Sequence, residues 1–331
     1  MLELTKWICA RAKQLGGVAA GVTTLDAMDP TPFQIWLESG YAADMTYLHR
    51  HRAVRSDLGL LLPGARTAVC VAFPYPTPSA DPLVSLLAGY ARGRDYHTEV
   101  RERLRQLWNA IHERLPDGVG HIFVDDGPLP ERELARRAGL GWVGSHACLI
   151  TSQAGSRIVL GEILTTLPLQ PTPPISGTCG ACQRCLHACP TGALIVPGVV
   201  DARRCLAYWT NGTRGAIPLA MRASIGVRLF GCDTCQDVCP HNPAPTQAPP
   251  VNVKDLISLL QLTPDVFHTR FNHTPLVWLK RGGVLRNVCV VLGNLGDAAA
   301  IPALTATLCD ADPIVREHAT WALSRLRDGN R

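Results

Sequence analysis

The chain is 331 residues long, enough for two or three domains with a sizeable core, so a miniprotein held by disulfide staples is excluded. Charged residues are 18% and apolar ones 47%, which excludes a mainly disordered chain. The net charge of +5 permits an RNA partner without demanding one; four of the 32 basic residues are lysines and the rest arginines, a bias that suits phosphate but that a GC-rich genome would also produce.

No basic segment followed by an apolar run opens the chain, and no stretch approaches ~18 consecutive apolar residues. The sequence therefore predicts a cytoplasmic protein without a membrane partner. Periodicity predicts an amphipathic helix over 3–16, a buried strand at Thr67–Phe73 stopped by Pro74, and a helix over His97–Leu115. A short strand at His121–Asp125 and a helix at Pro130–Ala138 follow. Ala147–Thr151 and Ile158–Thr166 read as a hairpin turning at Gln153–Ser156. Residues 1–170 thus look like one α/β domain.

Composition changes at Pro171-Thr-Pro-Pro174, where residues 171–250 begin and hold eight of the thirteen cysteines. A second junction, Pro240–Pro250, carries five prolines in eleven residues. In 251–331 the apolar pattern of Val284–Asp297 returns at Ile314–Asp328, an offset of 30 to 31 residues. Paired helices of HEAT type fit this pattern, with a plain helical bundle as the alternative.

Cys179-x2-Cys182-x2-Cys185-x3-Cys189-Pro190 is the bacterial-ferredoxin run, in which three thiolates hold one iron-sulfur cube and the fourth serves another. A second set must return the favour, and Cys205 with Cys232-x2-Cys235-x3-Cys239-Pro240 does so. Cys179, Cys182, Cys185 and Cys239 are assigned to one 4Fe-4S cluster, and Cys189, Cys205, Cys232 and Cys235 to a second. Two zinc sites are the competing reading. Cys9, Cys70, Cys148, Cys289 and Cys309 lie in apolar patterns and read as structural thiols.

A two-cluster unit conducts single electrons, so an acceptor is required. Val124-Asp125-Asp126-Gly-Pro-Leu-Pro-Glu131-Arg132 sets carboxylates and an arginine around a strand-to-helix turn. An apolar wall can raise a carboxyl enough for it to donate a proton near neutral pH. An N-cap or an Asp–Arg pair fixing the turn accounts for the same residues.

The Val-Asp-x-Gly-Pro turn, the segment Gly139-Leu-Gly-Trp-Val-Gly144, both cysteine runs, Gly231-Cys-Asp-Thr-Cys-Gln-Asp-Val-Cys-Pro240 and the HEAT-like tail occur in this order, with Gly93-Arg-Asp-Tyr-His97 and Leu61-Leu-Pro-Gly-Ala-Arg66 upstream. Together they resemble the epoxyqueuosine reductases, cobalamin-dependent enzymes of tRNA modification. The resemblance implies an α+β multidomain fold with an α/β cobalamin-binding domain, a ferredoxin-like two-cluster domain and a C-terminal α-helical HEAT-like repeat. It implies reduction of epoxyqueuosine to queuosine at the tRNA wobble position, with clusters reducing cob(II)alamin to cob(I)alamin, electrons from an external donor, and a monomer.

In that scheme Asp125 is the proton donor, with Glu131 and Arg132 as neighbours of the substrate or corrin. Arg55, Tyr96, Asp125, Leu149, Ser152, Leu160, Thr210 and Asp233 match positions near the cobalamin. The Asp-x-His-x-x-Gly signature of a histidine ligand to cobalt is absent, since Asp95-Tyr-His97-Thr-Glu-Val100 lacks the glycine, and Ser145 stands where the family commonly has a basic residue.

Arg203, Arg204, Arg214, Arg222 and Arg228, with Lys280, Arg281, Arg286 and Arg316, read as the tRNA footprint, with Tyr208 and Trp209 as stacking faces. Arg214 and Arg286 are the site residues taken from this set. Two other functions remain open from sequence: an electron-transfer adaptor without catalysis, and a corrinoid reductase of small molecules.

Overall fold

The structure is a computed structural model that describes residues 2–75, 81–244 and 251–328. Residues 245–250 of the second proline-rich junction lie outside the described residues. Two compact units emerge, neither continuous in sequence. The first comprises Met1–Tyr75, Tyr96–Ala202 and Thr234–Ala244; the second comprises Pro76–Asp95, Arg203–Asp233 and Pro245–Arg331.

The first unit opens with α1 (Leu2–Gln14), whose Ile8 and Ala12 bury one stripe, then β1 (Ala19–Thr24) and α2 (Thr31–Glu38). Two short turns, α3 (Tyr47–Arg50) and α4 (Arg52–Ser56), lead to β2 (Thr67–Pro74). Next come α5 (Tyr96–His112), β3 (Gly120–Phe123), α6 (Glu131–Arg137), β4 (Trp142–Val143), β5 (Leu149–Ile150) and β6 (Ile158–Thr165). The cysteine segment supplies α7 (Arg184–Ala188), β7 (Leu194–Val196) and β8 (Val199–Val200). Helix α8 (Leu219–Ile225) belongs to the second unit, and α9 (Thr234–Asp237) returns to the first and packs on α7.

The main sheet runs β1-β2-β6-β3 with every pair antiparallel. β2 and β6 are central, and the apolar run of β2 reflects burial on both faces. α1 and α5 cover one face. On the other, α6 packs on β2 and β6, where its Leu134 and Ala135 join Ala68, Cys70, Ala72, Leu160 and Leu164 in one apolar cluster. Gly161 faces α5, since a Cβ there would stand 2.7 Å from a methyl of Leu104.

Two expectations change. The hairpin of Ala147–Thr151 with Ile158–Thr166 does not form: β5 pairs with β4, while β6 enters the main sheet. The predicted turn survives as a closed loop, with Thr151 bridged to Gly155. β1 has no counterpart among the predicted elements because Ala-Ala-Gly-Val-Thr-Thr carries little strand signal. Its Gly21 is required by packing, a Cβ there falling 2.0 Å from the Ala138 carbonyl oxygen.

The second unit continues with α10 (Val253–Leu260), α11 (Pro264–Phe271), α12 (Lys280–Leu295), α13 (Ile301–Thr307) and α14 (Pro313–Asp328). The two predicted repeats are α12 and α14, packed together, and Val284–Gly293 of α12 is buried all round. That enclosure overturns Arg286 as an RNA contact. Its side chain is fully buried and donates to the carbonyls of Thr213 (3.1 Å), Gly215 (2.6 Å) and Trp209 (3.0 Å). Three carbonyl dipoles take over the solvation of one guanidinium.

Arg222, also buried, pairs with Glu317 and donates to Ile217 O. Arg281 pairs with Asp310 at 2.6 Å, and Arg316 donates to the Asp310 carbonyl at 2.6 Å. Tyr208 is buried and so offers no open face for a base. Arg286→Met should leave these carbonyls without partners and lower the stability of the protein by about 3 kcal/mol or more in a urea titration; a decrease under about 1 kcal/mol would contradict this role.

Candidate active site

The Asp125 turn joins β3 to α6. Asp126 takes the structural duty that sequence alone could have given to either aspartate: it accepts from the Val124 amide at 2.9 Å and pairs with Arg101. Asp125 is thereby left for another purpose. It is exposed, and its backbone is in the left-handed region at φ +52°, a strained conformation for a residue with a Cβ.

Two hydrogen bonds hold that conformation. The Asp125 amide donates to Glu131 Oε1 at 2.8 Å, and the Tyr96 hydroxyl donates to Asp125 Oδ2 at 2.5 Å. Tyr96, at the start of α5, is itself buried and stacks on His97 with ring centroids 4.1 Å apart. His97 thus stands as a wall beside Tyr96.

Arg55 lies over the Phe33 ring at 4.7 Å and donates to the Leu129 carbonyl at 2.9 Å. Burial lowers its guanidinium, Arg132 adds to the lowering, and Glu131 opposes it, so the three charges share one neighbourhood. Arg132 donates to the Ala147 carbonyl and ties α6 to the β4–β5 turn.

The carboxyls respond to this crowding. Glu131, half-buried in the first turn of α6, is pushed up to about 8, first by loss of water and then by Asp125, while the Asp125 amide and Arg55 oppose the rise. Glu162 of β6 is raised well above the ordinary range by burial, with Glu131 and Asp125 adding. Tyr47 is raised by burial and then by Asp125, which places it in the same neighbourhood. Neither Tyr47 nor Glu162 carries a sequence signal, since each sits in an ordinary stretch and meets Asp125 through the fold.

The remaining predicted residues are distributed as follows. Leu149 and Leu160 are 2% and 9% exposed, within the apolar cluster under α6. Ser152 is exposed in the Thr151–Gly155 loop. In the second unit, Thr210 is fully buried, donating to Leu206 O at 2.7 Å and accepting from the Gly231 amide at 3.0 Å, so its side chain is committed to the fold. Asp233 accepts from the Gly89 amide at 2.6 Å. Arg214 is exposed.

Of the cysteines, Cys179, Cys182, Cys185, Cys189, Cys235 and Cys239 belong to the first unit, and Cys205 and Cys232 to the second. Burial raises the thiols of Cys185 and Cys239, and both feel Cys179 and Cys182, so these four sulfurs form one group. Around Cys189, burial is outweighed by the amides of Thr191, Ala193 and Leu194 and by the Thr191 hydroxyl, and the thiol is lowered. The Ala193 amide stands 3.2 Å from that sulfur, and the Ser145 amide donates to Cys179 Sγ at 3.4 Å. Thiolate donors with N–H groups aimed at sulfur suit an iron-sulfur cluster. Among the described residues no three His, Cys, Asp or Glu side chains converge tightly enough to hold a single ion.

Residues 55–126 match the family described as "Epoxyqueuosine reductase QueG, DUF1730", residues 178–242 a 4Fe-4S double cluster binding domain, and residues 281–331 HEAT repeats. The chain is 36% identical to an epoxyqueuosine reductase of Alicycliphilus denitrificans over 98% of both chains, and 34% identical to that of Escherichia coli over 94% of this chain and 86% of the other. An epoxyqueuosine reductase structure solved with an epoxyqueuosine-modified tyrosine tRNA stem loop superposes with a TM-score of 0.86 at 32% identity, covering 98% of this chain and 90% of that one. One from Bacillus subtilis, in which the catalytic aspartate loop is swung out of the active site, gives 0.85 at 31%, covering 98% and 91%.

A carboxyl raised by folding binds its proton more tightly in the native state, so its contribution is full below the unfolded value near 4.5 and declines as pH rises toward about 8. Across that window the protein should lose stability on the order of 1 kcal/mol per pH unit relative to Glu131→Gln in parallel urea titrations. Parallel slopes for the two proteins would contradict a raised Glu131.

Proposed function

We infer that this chain, which belongs to the epoxyqueuosine reductase family, reduces epoxyqueuosine to queuosine in tRNA and releases the epoxide oxygen as water. The observation that carries the reading is the Asp125 turn: an exposed carboxyl held by Tyr96, with protonated Glu131 behind it. Opening the ring and removing its oxygen consumes two electrons and two protons. Asp125 is the group that would hand a proton to the departing oxygen, with the Tyr96 hydroxyl holding one of its carboxyl oxygens.

The two 4Fe-4S clusters carry single electrons. Cys179, Cys182, Cys185 and Cys239 would hold one, a set supported by their mutual electrostatic influence. Cys189, Cys205, Cys232 and Cys235 would hold the other. Cobalamin, when bound, supplies a low-valent cobalt nucleophilic enough to engage a strained epoxide. Arg55, Tyr96, Asp125, Leu149, Ser152, Leu160, Thr210 and Asp233 are the residues proposed to hold it. Glu131 and Arg132 support the turn from behind.

With Arg222, Arg281, Arg286 and Arg316 occupied internally, the basic residues that fit an RNA face are the exposed Arg203, Arg204, Arg214 and Lys280. The three-part division into 1–170, 171–250 and 251–331 then puts the Asp125 turn in the first part, the cluster cysteines in the second, and the RNA-facing residues in the second and third. A cytoplasmic monomer fed by an external electron donor completes the proposal. Among the described residues no helix is long and apolar enough to cross a membrane.

Asp125→Asn should retain its iron while turnover of epoxyqueuosine-tRNA under reducing, anaerobic conditions falls about a hundredfold or more; undiminished turnover would remove Asp125 from proton donation. Changing Arg203, Arg204 and Arg214 together to alanine should weaken tRNA binding and flatten its dependence on salt by roughly one logarithmic unit of slope for each phosphate that is no longer neutralised. An unaltered slope would move the RNA face elsewhere.

A further inference from the structure

In the second unit a short turn of 3-10 helix, Pro275–Leu279, leads into α12, and its Pro275, Leu276 and Leu279 are buried. Residues three apart share a face in such a turn, so Leu276 and Leu279 enter the helical core and Trp278 is left outside. Trp278 is 55% exposed, the one exposed tryptophan among the described residues. A ring of that size in water forgoes a large gain from burial, so its display calls for a reason. Its position is fixed nonetheless. The indole N–H donates to Asp95 Oδ2 at 3.0 Å, and the Asp95 amide donates to the His273 carbonyl at 2.7 Å, which joins the segment before α5 to the one before α12. Along these two segments, 92–95 and 272–281, the exposed charged or titratable side chains are Arg94, His273 and Lys280. Asp95 is their one acid, and it is 8% exposed and engaged with the indole.

We propose that Trp278 is a stacking platform for an unpaired base of the tRNA, with Arg94 and Lys280 taking the phosphates beside that base. The proposal rests on the RNA partner inferred above and gives it an aromatic contact. The aromatic pair expected from sequence is less suited to that task, since Tyr208 is buried and Trp209, half-buried, donates its N–H to the Arg203 carbonyl at 2.8 Å. A protein partner would be met by a contiguous apolar patch, whereas the exposed side chains on these segments are cations and a histidine around a single ring. An aromatic face among cations is the combination that holds single-stranded nucleic acid, the ring taking a base and the charges its backbone. Bases already paired keep their faces inside the duplex, so the ring selects loop nucleotides. The bond to Asp95 orients the indole before RNA arrives, and little freedom is lost on binding.

The test measures binding of the full-length protein to two probes, an unmodified tRNA anticodon stem-loop and a blunt RNA duplex of equal length. Trp278→Ala should bind the stem-loop about tenfold more weakly while the duplex is bound as before. The salt dependence of stem-loop binding should keep its slope in Trp278→Ala, because no phosphate contact is lost, and should flatten by about two logarithmic units of slope when Arg94 and Lys280 are both changed to alanine. Trp278→Phe, which keeps a ring without the N–H, should retain most of the affinity and lose part of the quenching of tryptophan fluorescence that the stem-loop causes. Unchanged stem-loop affinity in Trp278→Ala, or an equal loss on stem-loop and duplex, would overturn the platform. So would a loss in Trp278→Phe as large as in Trp278→Ala, which would make the bond to Asp95 the cause. A change in sedimentation of the RNA-free Trp278→Ala protein with stem-loop affinity intact would show instead that the ring meets a second copy of the chain. Should Trp278→Ala not fold, the affinity and quenching of Trp278→Phe decide. Failure of the unaltered protein to bind either RNA would overturn the tRNA reading itself, whereas inactivity on epoxyqueuosine-tRNA with stem-loop binding intact would overturn the reduction and leave the platform standing.

Discussion

Three carboxyl groups within electrostatic reach of one another, one buried, one half-buried and one exposed, are the constraint around Asp125. Like charge and loss of hydration push in the same direction, and both Glu131 and Glu162 are raised. The left-handed backbone of Asp125 would by itself be unfavourable. The hydrogen bond that its backbone N–H donates to Glu131 and the one its carboxyl accepts from the Tyr96 hydroxyl offset that cost. Strain, burial and hydrogen bonding thus converge on one turn.

The same logic with opposite sign governs the cysteines. A thiol that must give up its proton to iron needs donors directed at sulfur, and Cys189 has three amides and a hydroxyl around it. Cys70 and Cys289, in contrast, are buried where ionisation is opposed, which agrees with their reading as inert core thiols. Spacing tells which cysteines share a run, and the N–H groups around Cys189 and Cys179 belong to the fold.

Arginine abundance is the least direct guide to function in this chain. Arg286 and Arg222 are interior residues that hold carbonyls where helices meet irregular segments, and Arg281 and Arg316 fasten the turn before α14. A guanidinium with five donors can satisfy several carbonyls at once, a task for which lysine is poorly shaped. Removing these four from the RNA face leaves a smaller and more specific set of exposed bases.

Local signals, carried by residues close in sequence, were readable without the fold. The cysteine spacings, the helical stripes of α1 and α5, the continuous apolar run of β2 and the α12–α14 repeat all depend on neighbours a few positions apart, so sequence alone determined them. The partner of a strand is not encoded that way: β6 sits beside β2 rather than β5, and its Leu160 and Leu164 join Ala68, Cys70 and Ala72 of β2 beneath α6, residues far apart along the chain. Which aspartate caps the turn and which faces the site, whether an arginine meets solvent or carbonyls, and that Glu162 lies under Glu131 were likewise decided by tertiary structure. Burial, more than residue type, fixes the charge state of such groups, and burial is a property of the packed chain.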